Sequence, residues 1–314
     1  MQLTRFAKFA WFVLIWNVIT ALWGAFVRAT GSGAGCGSHW PLCNGQVVPQ
    51  AEQVATLVEF SHRIMSGLAM IGVLVLLVWA FRAYPKGHPV RFGAVASAVF
   101  IILEALVGAA LVLFGWVVDD ASKERALVVS IHLTNTFLLL ASLAVVAWWA
   151  SNKRPIALYA HKWLVWGLRV GLLLVLLIGV SGAITALGDT LFPVSSVAEG
   201  LQQDFDKTAS FLVRLRLWHP VLSILTGVYL LFLARLINSE HADPTVTRLS
   251  RLLAIFVVVQ LAAGFVNVML LAPVWMQVIH LLLADLVWLS LVLLSASVAA
   301  VPVPKFDVAA QQAL

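Results

Sequence analysis

Four histidines sit where an ionisable side chain is costly. His62, His132, His219 and His280 each fall inside a long apolar run, whereas His39, His88, His161 and His241 lie in or beside the segments between runs. A neutral imidazole offers a lone pair to a metal, and ionisable groups within a membrane mark function by default. The stretch "VEFSHRIMSG", residues 58–67, adds a carboxylate and a guanidinium to the first of them, with Glu59 before His62 and Arg63 after it. Residues three apart share a helix face, so Glu59 is within reach of whatever His62 holds. Such a constellation suits iron ligation with a general base alongside. The plainer alternative makes Glu59 a charge satisfying a helix N-terminus.

The elements that carry these residues follow from composition. The chain is 62% hydrophobic and 11% charged, with mean hydropathy +0.99. Crossing a bilayer takes about 20 apolar residues as a helix. Eight runs qualify, near 6–28, 59–81, 91–115, 126–150, 162–187, 214–237, 248–271 and 274–299. The expected fold is an all-α integral membrane protein with eight transmembrane helices, surrounded by membrane lipid. Its net charge of +6 reports topology, and no nucleic-acid partner is expected. With the N-terminus inside, Lys and Arg divide twelve inside to seven outside. That bias puts both termini in the cytoplasm. Four of the outer seven, Arg28, Arg63, Arg214 and Arg216, fall at outer helix ends.

The first run has a basic start, Arg5 and Lys8, but is too long for a signal sequence and has no clear small-x-small cleavage site. It reads as an uncleaved helix, and with no transit-type segment before it the chain is expected in a bacterial plasma membrane. Two connections, 29–58 and 188–213, are long, and they follow runs one and five. Gly24-Ala25 before the first matches Gly182-Ala183 before the second, and Glu104-x-x-x-Gly108 matches Gln260-x-x-x-Gly264. The chain therefore divides into two similar four-helix bundles, residues 1–152 and 153–314.

The histidines occupy runs two, four, six and eight, once each, one to two turns from the outer ends. Two imidazoles from facing helices can take both axial positions of a haem iron. Pairing within halves gives His62 with His132 and His219 with His280. Zinc fits less well, because no carboxylate or thiol joins both pairs equally. Haem propionates need charge-assisted partners, for which Arg28, Arg63, Arg214 and Arg216 are candidates beside simple snorkelling. Glu104, Asn135, Gln260, Asn267 and Asp285 line haem pockets or bond between helices and receive no catalytic role, and Arg169 near the inner end of run five can snorkel.

The first long connection reads "GSGAGCGSHWPLCNG" and holds the chain's two cysteines, Cys36 and Cys43. On an oxidising face a disulfide is the expected state, as a staple or as a redox element. A metal site from both cysteines and His39 is the remaining alternative.

These residues resemble the haem A synthases across nearly the whole chain. The resemblance rests on "EFSHR" opening the second helix, "GSGAGCGSHWPLC" in the first outer loop, and histidines in the four even helices. It implies oxidation of a methyl group of haem O to the formyl group of haem A. It also implies His62 and His132 at the substrate haem, His219 and His280 on a haem b cofactor, Glu59 in an essential catalytic role, and a Cys36–Cys43 disulfide tied to activity or electron delivery. A membrane haem O synthase would supply the substrate, an unidentified partner would exchange electrons, and both haem sites would face outward. The chain departs from the family in carrying Gly37, Ser38 and His39 where a proline and an acidic residue are common. It also has Pro220, not arginine, after the second-half histidine. Within the halves, Arg216 stands where Glu59 would recur, which suits proton abstraction at one site and plain coordination at the other.

Two other classes share some of these features. A dihaem electron-transfer protein needs the four histidines but not Glu59. A transporter would explain the repeat, yet would place its site at the midplane.

Overall fold

In a computed structural model, residues 3–50, 53–151, 162–240 and 243–299 are described. The expected boundary between halves, 152/153, falls outside them. Among the described residues, eight helical spans are long and apolar enough to cross a membrane, and no strand element is present. They comprise α1 (Arg5–Ala29), α2 (Val54–Ala83), α3 (Pro89–Leu113), α4 (Lys123–Ser151) and α5 (Lys162–Leu191). A short α6 (Val197–Phe205) precedes a sixth span made of α7 (Phe211–Arg216) and α8 (Trp218–Glu240), and α9 (Pro244–Met269) and α10 (Val274–Val298) complete the set. This is a multi-pass membrane protein. In hydrocarbon every backbone N–H and C=O must bond within its own helix, which is why long apolar runs fold this way.

Helix starts follow local chemistry. Thr4 caps α1 by accepting from the Ala7 N–H, and Asp243 caps α9 by accepting from Thr245 and Val246, with Pro244 in the first turn. The sixth span breaks between Arg216 and Trp218. Pro220 has no N–H to give the Arg216 carbonyl four residues back, so the helix cannot run through. The connection expected at 188–213 is shorter than the sequence suggested, because α5 continues to Leu191 and α6 forms within it.

Small side chains let the spans approach closely. Ala10, Ala69, Ala80, Ala94, Ala144 and Ala147 are buried, while Phe12, Ile71, Phe81 and Phe92 face outward. Gly93 lies under Val146, and Ser97 bonds Ser142 at 2.9 Å, locking α3 to α4. One continuous core runs from Phe6 to Val298 through both halves. At its centre Phe137 stacks on Trp288 at 5.4 Å, and the Trp288 indole N–H donates to the Phe137 carbonyl at 2.7 Å.

Candidate functional site

The four intramembrane histidines are built alike. Each ring lies over a glycine of the preceding span: His62 over Gly24, His132 over Gly108, His219 over Gly182 and His280 over Gly264. A Cβ at Gly24, Gly182 or Gly264 would stand 3.0, 3.0 or 3.1 Å from the ring Cε1, against 3.8 Å at Gly108. Three rings are thus seated tightly and the fourth has slack. Three of the helices begin earlier than their apolar runs, so His62, His132 and His219 lie roughly 12–14 Å along their spans at 1.5 Å per residue, past two turns. His280 lies roughly 9 Å along a span that starts where its run does, within the one to two turns expected.

The two second-half rings stand close together. The His219 and His280 ring centres are 6.4 Å apart with planes at 83°. Two metal–nitrogen bonds of about 2 Å, with about 1 Å from each nitrogen to its ring centre, span about 6 Å, so this separation is compatible with a shared ligand. His219 Nδ1 lies 2.9 Å from Ser181 Oγ, which also bonds the Ile178 carbonyl at 2.9 Å. With the single hydroxyl proton on Ile178, Nδ1 is the donor and Nε2 keeps its lone pair for a ligand. Gln260 Nε2 approaches His280 Nε2 at 3.3 Å.

The first-half pair differs. His62 Nδ1 is buried without a hydrogen-bond partner. Among the described residues, ring contact between these histidines is made by the second pair alone. His132 Nδ1 stands 3.5 Å from Glu104 Oε1, too far for a hydrogen bond.

Glu59 is buried at 3% exposure, beyond the first turn of α2, where a helix dipole has faded. Its Oε2 accepts the Cys36 N–H at 2.8 Å, and its Oε1 accepts from Arg63 Nε at 3.2 Å and Nη2 at 2.5 Å. Arg63 Nη1 in turn donates to the carbonyls of His39 at 2.6 Å and Leu42 at 2.5 Å. Cys36 and Cys43 form a disulfide and both are buried. The bridge takes both thiolates out of the His39 metal alternative. "EFSHR" therefore anchors the cysteine loop as well as presenting His62.

The other arginines also have partners. Arg28 donates to the Ala186 carbonyl at 2.8 Å, Thr190 Oγ1 at 2.7 Å and Gln277 Oε1 at 2.8 Å, so it joins α1 to α5 and α10. Arg216 pairs with Asp189 at 3.0 Å and Asp204 at 2.8 Å and donates to the Gly200 carbonyl at 3.3 Å. Arg214 is exposed and makes no ion pair among the described residues. The sequence reading missed Ser181, Asp189, Asp204 and Gln277; Ser181 was the most legible, standing beside the repeated Gly182.

Residues 7–292 match the COX15-CtaA family model, described as a cytochrome oxidase assembly protein. A Thermus thermophilus protein named protoheme IX farnesyltransferase is 53% identical over 294 residues, 94% of this chain but 48% of its own length. The chain thus spans about half the length of that relative. A Geobacillus kaustophilus heme A synthase is 52% identical over 92 residues, 29% of each chain. One from Bacillus licheniformis is 40% identical over 123 residues, 39% of this chain and 38% of its own.

Proposed function

The chain belongs to the COX15-CtaA family of cytochrome oxidase assembly proteins, and from that premise we propose that it is an oxidoreductase converting haem O to haem A. The methyl carbon of haem O is oxidised through a hydroxymethyl group to the formyl group, a four-electron change that takes one oxygen atom from water or dioxygen and passes the electrons on to an external acceptor. The observation that carries this reading is the contrast between two similarly built histidine pairs. His219 and His280 have ring centres 6.4 Å apart, whereas the first pair makes no such ring contact among the described residues and its His132 stands 3.5 Å from the Glu104 carboxylate.

His62 and His132 hold the substrate haem. His219 and His280 hold a haem b, which supplies one-electron chemistry when bound. Ser181 would fix the His219 tautomer so that Nε2 keeps its lone pair for a haem iron. Glu59 couples the disulfide loop to the first site and accepts protons by exchanging the bonds it makes to Cys36 and Arg63. Arg63, Arg28 and Arg216 are engaged by protein groups, so in the second half a propionate contact falls first to Arg214. The Lys and Arg bias supports termini in the cytoplasm and histidines toward the outer face of a bacterial plasma membrane, and the repeat supports one site in each four-helix half.

The Thermus relative, named for farnesyl transfer to protohaem and about twice the matched length, supports a haem O synthase as the partner that hands over substrate. The Geobacillus and Bacillus heme A synthases support the reaction itself. The test is chromatography of haems extracted from purified protein supplied with haem O. Haem A and a hydroxymethyl haem are expected. Unconverted haem O, with haem b alone cycling between oxidation states, would replace the enzyme with an electron-transfer protein.

A further inference from the structure

The two histidine sites differ at one chemically telling position. Glu104 on α3 and Gln260 on α9 are repeat-equivalent, each four residues before the glycine under its histidine. Glu104 Oε2 accepts from Asn135 Nδ2 at 2.5 Å, Thr136 Oγ1 lies 2.5 Å from Oε1, and that same Oε1 is 3.5 Å from His132 Nδ1. In the second half the positions of Asn135 and Thr136 are taken by Leu283 and Ala284. The carboxylate and the two donors that hold it thus come and go together.

We propose that Glu104 is a positioning residue for the iron ligand His132, and that the Glu104/Gln260 difference sets the two haem irons at different reduction potentials. This rests on the haem A synthase reading. A histidine that ligates iron through Nε2 carries its proton on Nδ1, and a carboxylate receiving that proton fixes the ring and makes the imidazole a stronger electron donor. Closing the gap from 3.5 Å to a hydrogen bond takes about 0.6 Å. The ring has that freedom, because Gly108 leaves 3.8 Å where the other three glycines leave 3.0 to 3.1 Å. Asn135 holds the carboxylate at Oε2 while the ring moves to it, and the Thr136 hydroxyl lies between Oε1 and the His132 carbonyl, at 2.9 Å from the latter. Gln260 is a neutral amide and supplies no such charge at His280. A carboxylate behind the ligand favours ferric over ferrous iron, so the first site has the lower potential. A more electron-rich iron at the substrate site and a more oxidising one at the resident site suit electron flow from the first half to the second.

The test is a spectroelectrochemical titration of the purified protein loaded with protohaem in both halves, with the first-half couple identified by its loss in His132→Ala. Glu104→Gln keeps the side-chain shape. It should raise the first-half couple by at least the equivalent of a tenfold change in ferric preference, about 59 mV for one electron, and leave the second-half couple in place. A purely structural role for Glu104 would reduce haem content without moving a potential. Unmoved couples in Glu104→Gln, or couples that shift together, would overturn the proposal. If His132→Ala removes no haem, the haem reading of the first half fails, and this inference falls with it.

Discussion

Gly182→Ala adds one methyl group and tests whether the histidine seats are built for ligation. Its Cβ would stand 3.0 Å from His219 Cε1 and 3.6 Å from Nδ1. Ordinary carbon–carbon contact begins near 3.5 Å, so the ring must retreat by about 0.5 Å. Nδ1 is tethered to Ser181 at 2.9 Å, on the same helix as the new methyl. The retreat stretches that bond to about 3.4 Å, past the range of an N–H···O hydrogen bond. Metal–ligand distances tolerate only about 0.2 Å, and losing an outer partner of a ligating histidine costs about 10–100-fold in affinity. The expected effect is therefore about 1.4–2.8 kcal/mol of haem binding. Alanine is the better helix former by up to about 1 kcal/mol, so the fold itself should hold. Haem per protein by pyridine haemochrome, haemin titration and a thermal melt in detergent separate the two effects. Gly108→Ala, with 3.8 Å of room, should keep its haem. Full second-half haem retention by Gly182→Ala, or equal loss in Gly108→Ala, would refute the reasoning.

Glu59→Gln leaves Arg63 without its counter-charge at side-chain exposures of 13% and 5%, a loss of roughly 3 kcal/mol. Cys36 and Cys43 should then be alkylated faster after brief reduction, and Arg63→Met should do the same; wild-type rates in both would remove the loop anchor. Loss of haem A in Glu59→Gln with normal yield in Arg63→Met would instead isolate a base role for Glu59. Arg216→Met strands Asp189 and Asp204, also by roughly 3 kcal/mol, and should lower the melting midpoint, with an unchanged midpoint counting against the network. The Ser195 hydroxyl and N–H hold the Glu199 carboxyl below its ordinary range. A depressed folded value means stability that is present above the unfolded value and lost as pH falls through the folded one. Amide protection in the first turn of α6 should therefore weaken in acid, and Glu199→Gln should reduce that dependence while the depressed Asp206 carboxyl at the C-cap keeps the rest.

The membrane spans were legible because length and apolarity alone decide whether a helix can cross a bilayer. The sixth span's break was half legible: Pro220 was noticed as a missing arginine, whereas its effect on the Arg216 carbonyl is a backbone matter. The histidine–glycine seats were present in the sequence as Gly24, Gly182, Gly108 and Gly264, but which glycine underlies which histidine depends on how the helices cross. The arginines show the limit most clearly. Sequence places Arg28, Arg63, Arg214 and Arg216 near the histidines, and only three dimensions show that three of them are spent on carbonyls, carboxylates and amides of the protein itself.

The same arginines show one task done with opposite charges. Glu59 and Arg216 are repeat-equivalent, each three residues before a histidine, and each anchors the long connection of its own half. In the first half the carboxylate takes the Cys36 N–H and recruits Arg63 to the His39 and Leu42 carbonyls. In the second half the guanidinium takes Asp204 and the Gly200 carbonyl on α6 and Asp189 on α5. The sign of the charge is reversed while the task is kept. Arg63 has no counterpart because Pro220 occupies its place, and the helix break there lets α7 carry Arg216 toward α6. A charge one turn before the histidine therefore ties the covering segment to the ligand helix in both halves. Displacing either segment should disturb its own histidine pair first, and the charge that remains beside the first pair is the one able to accept a proton.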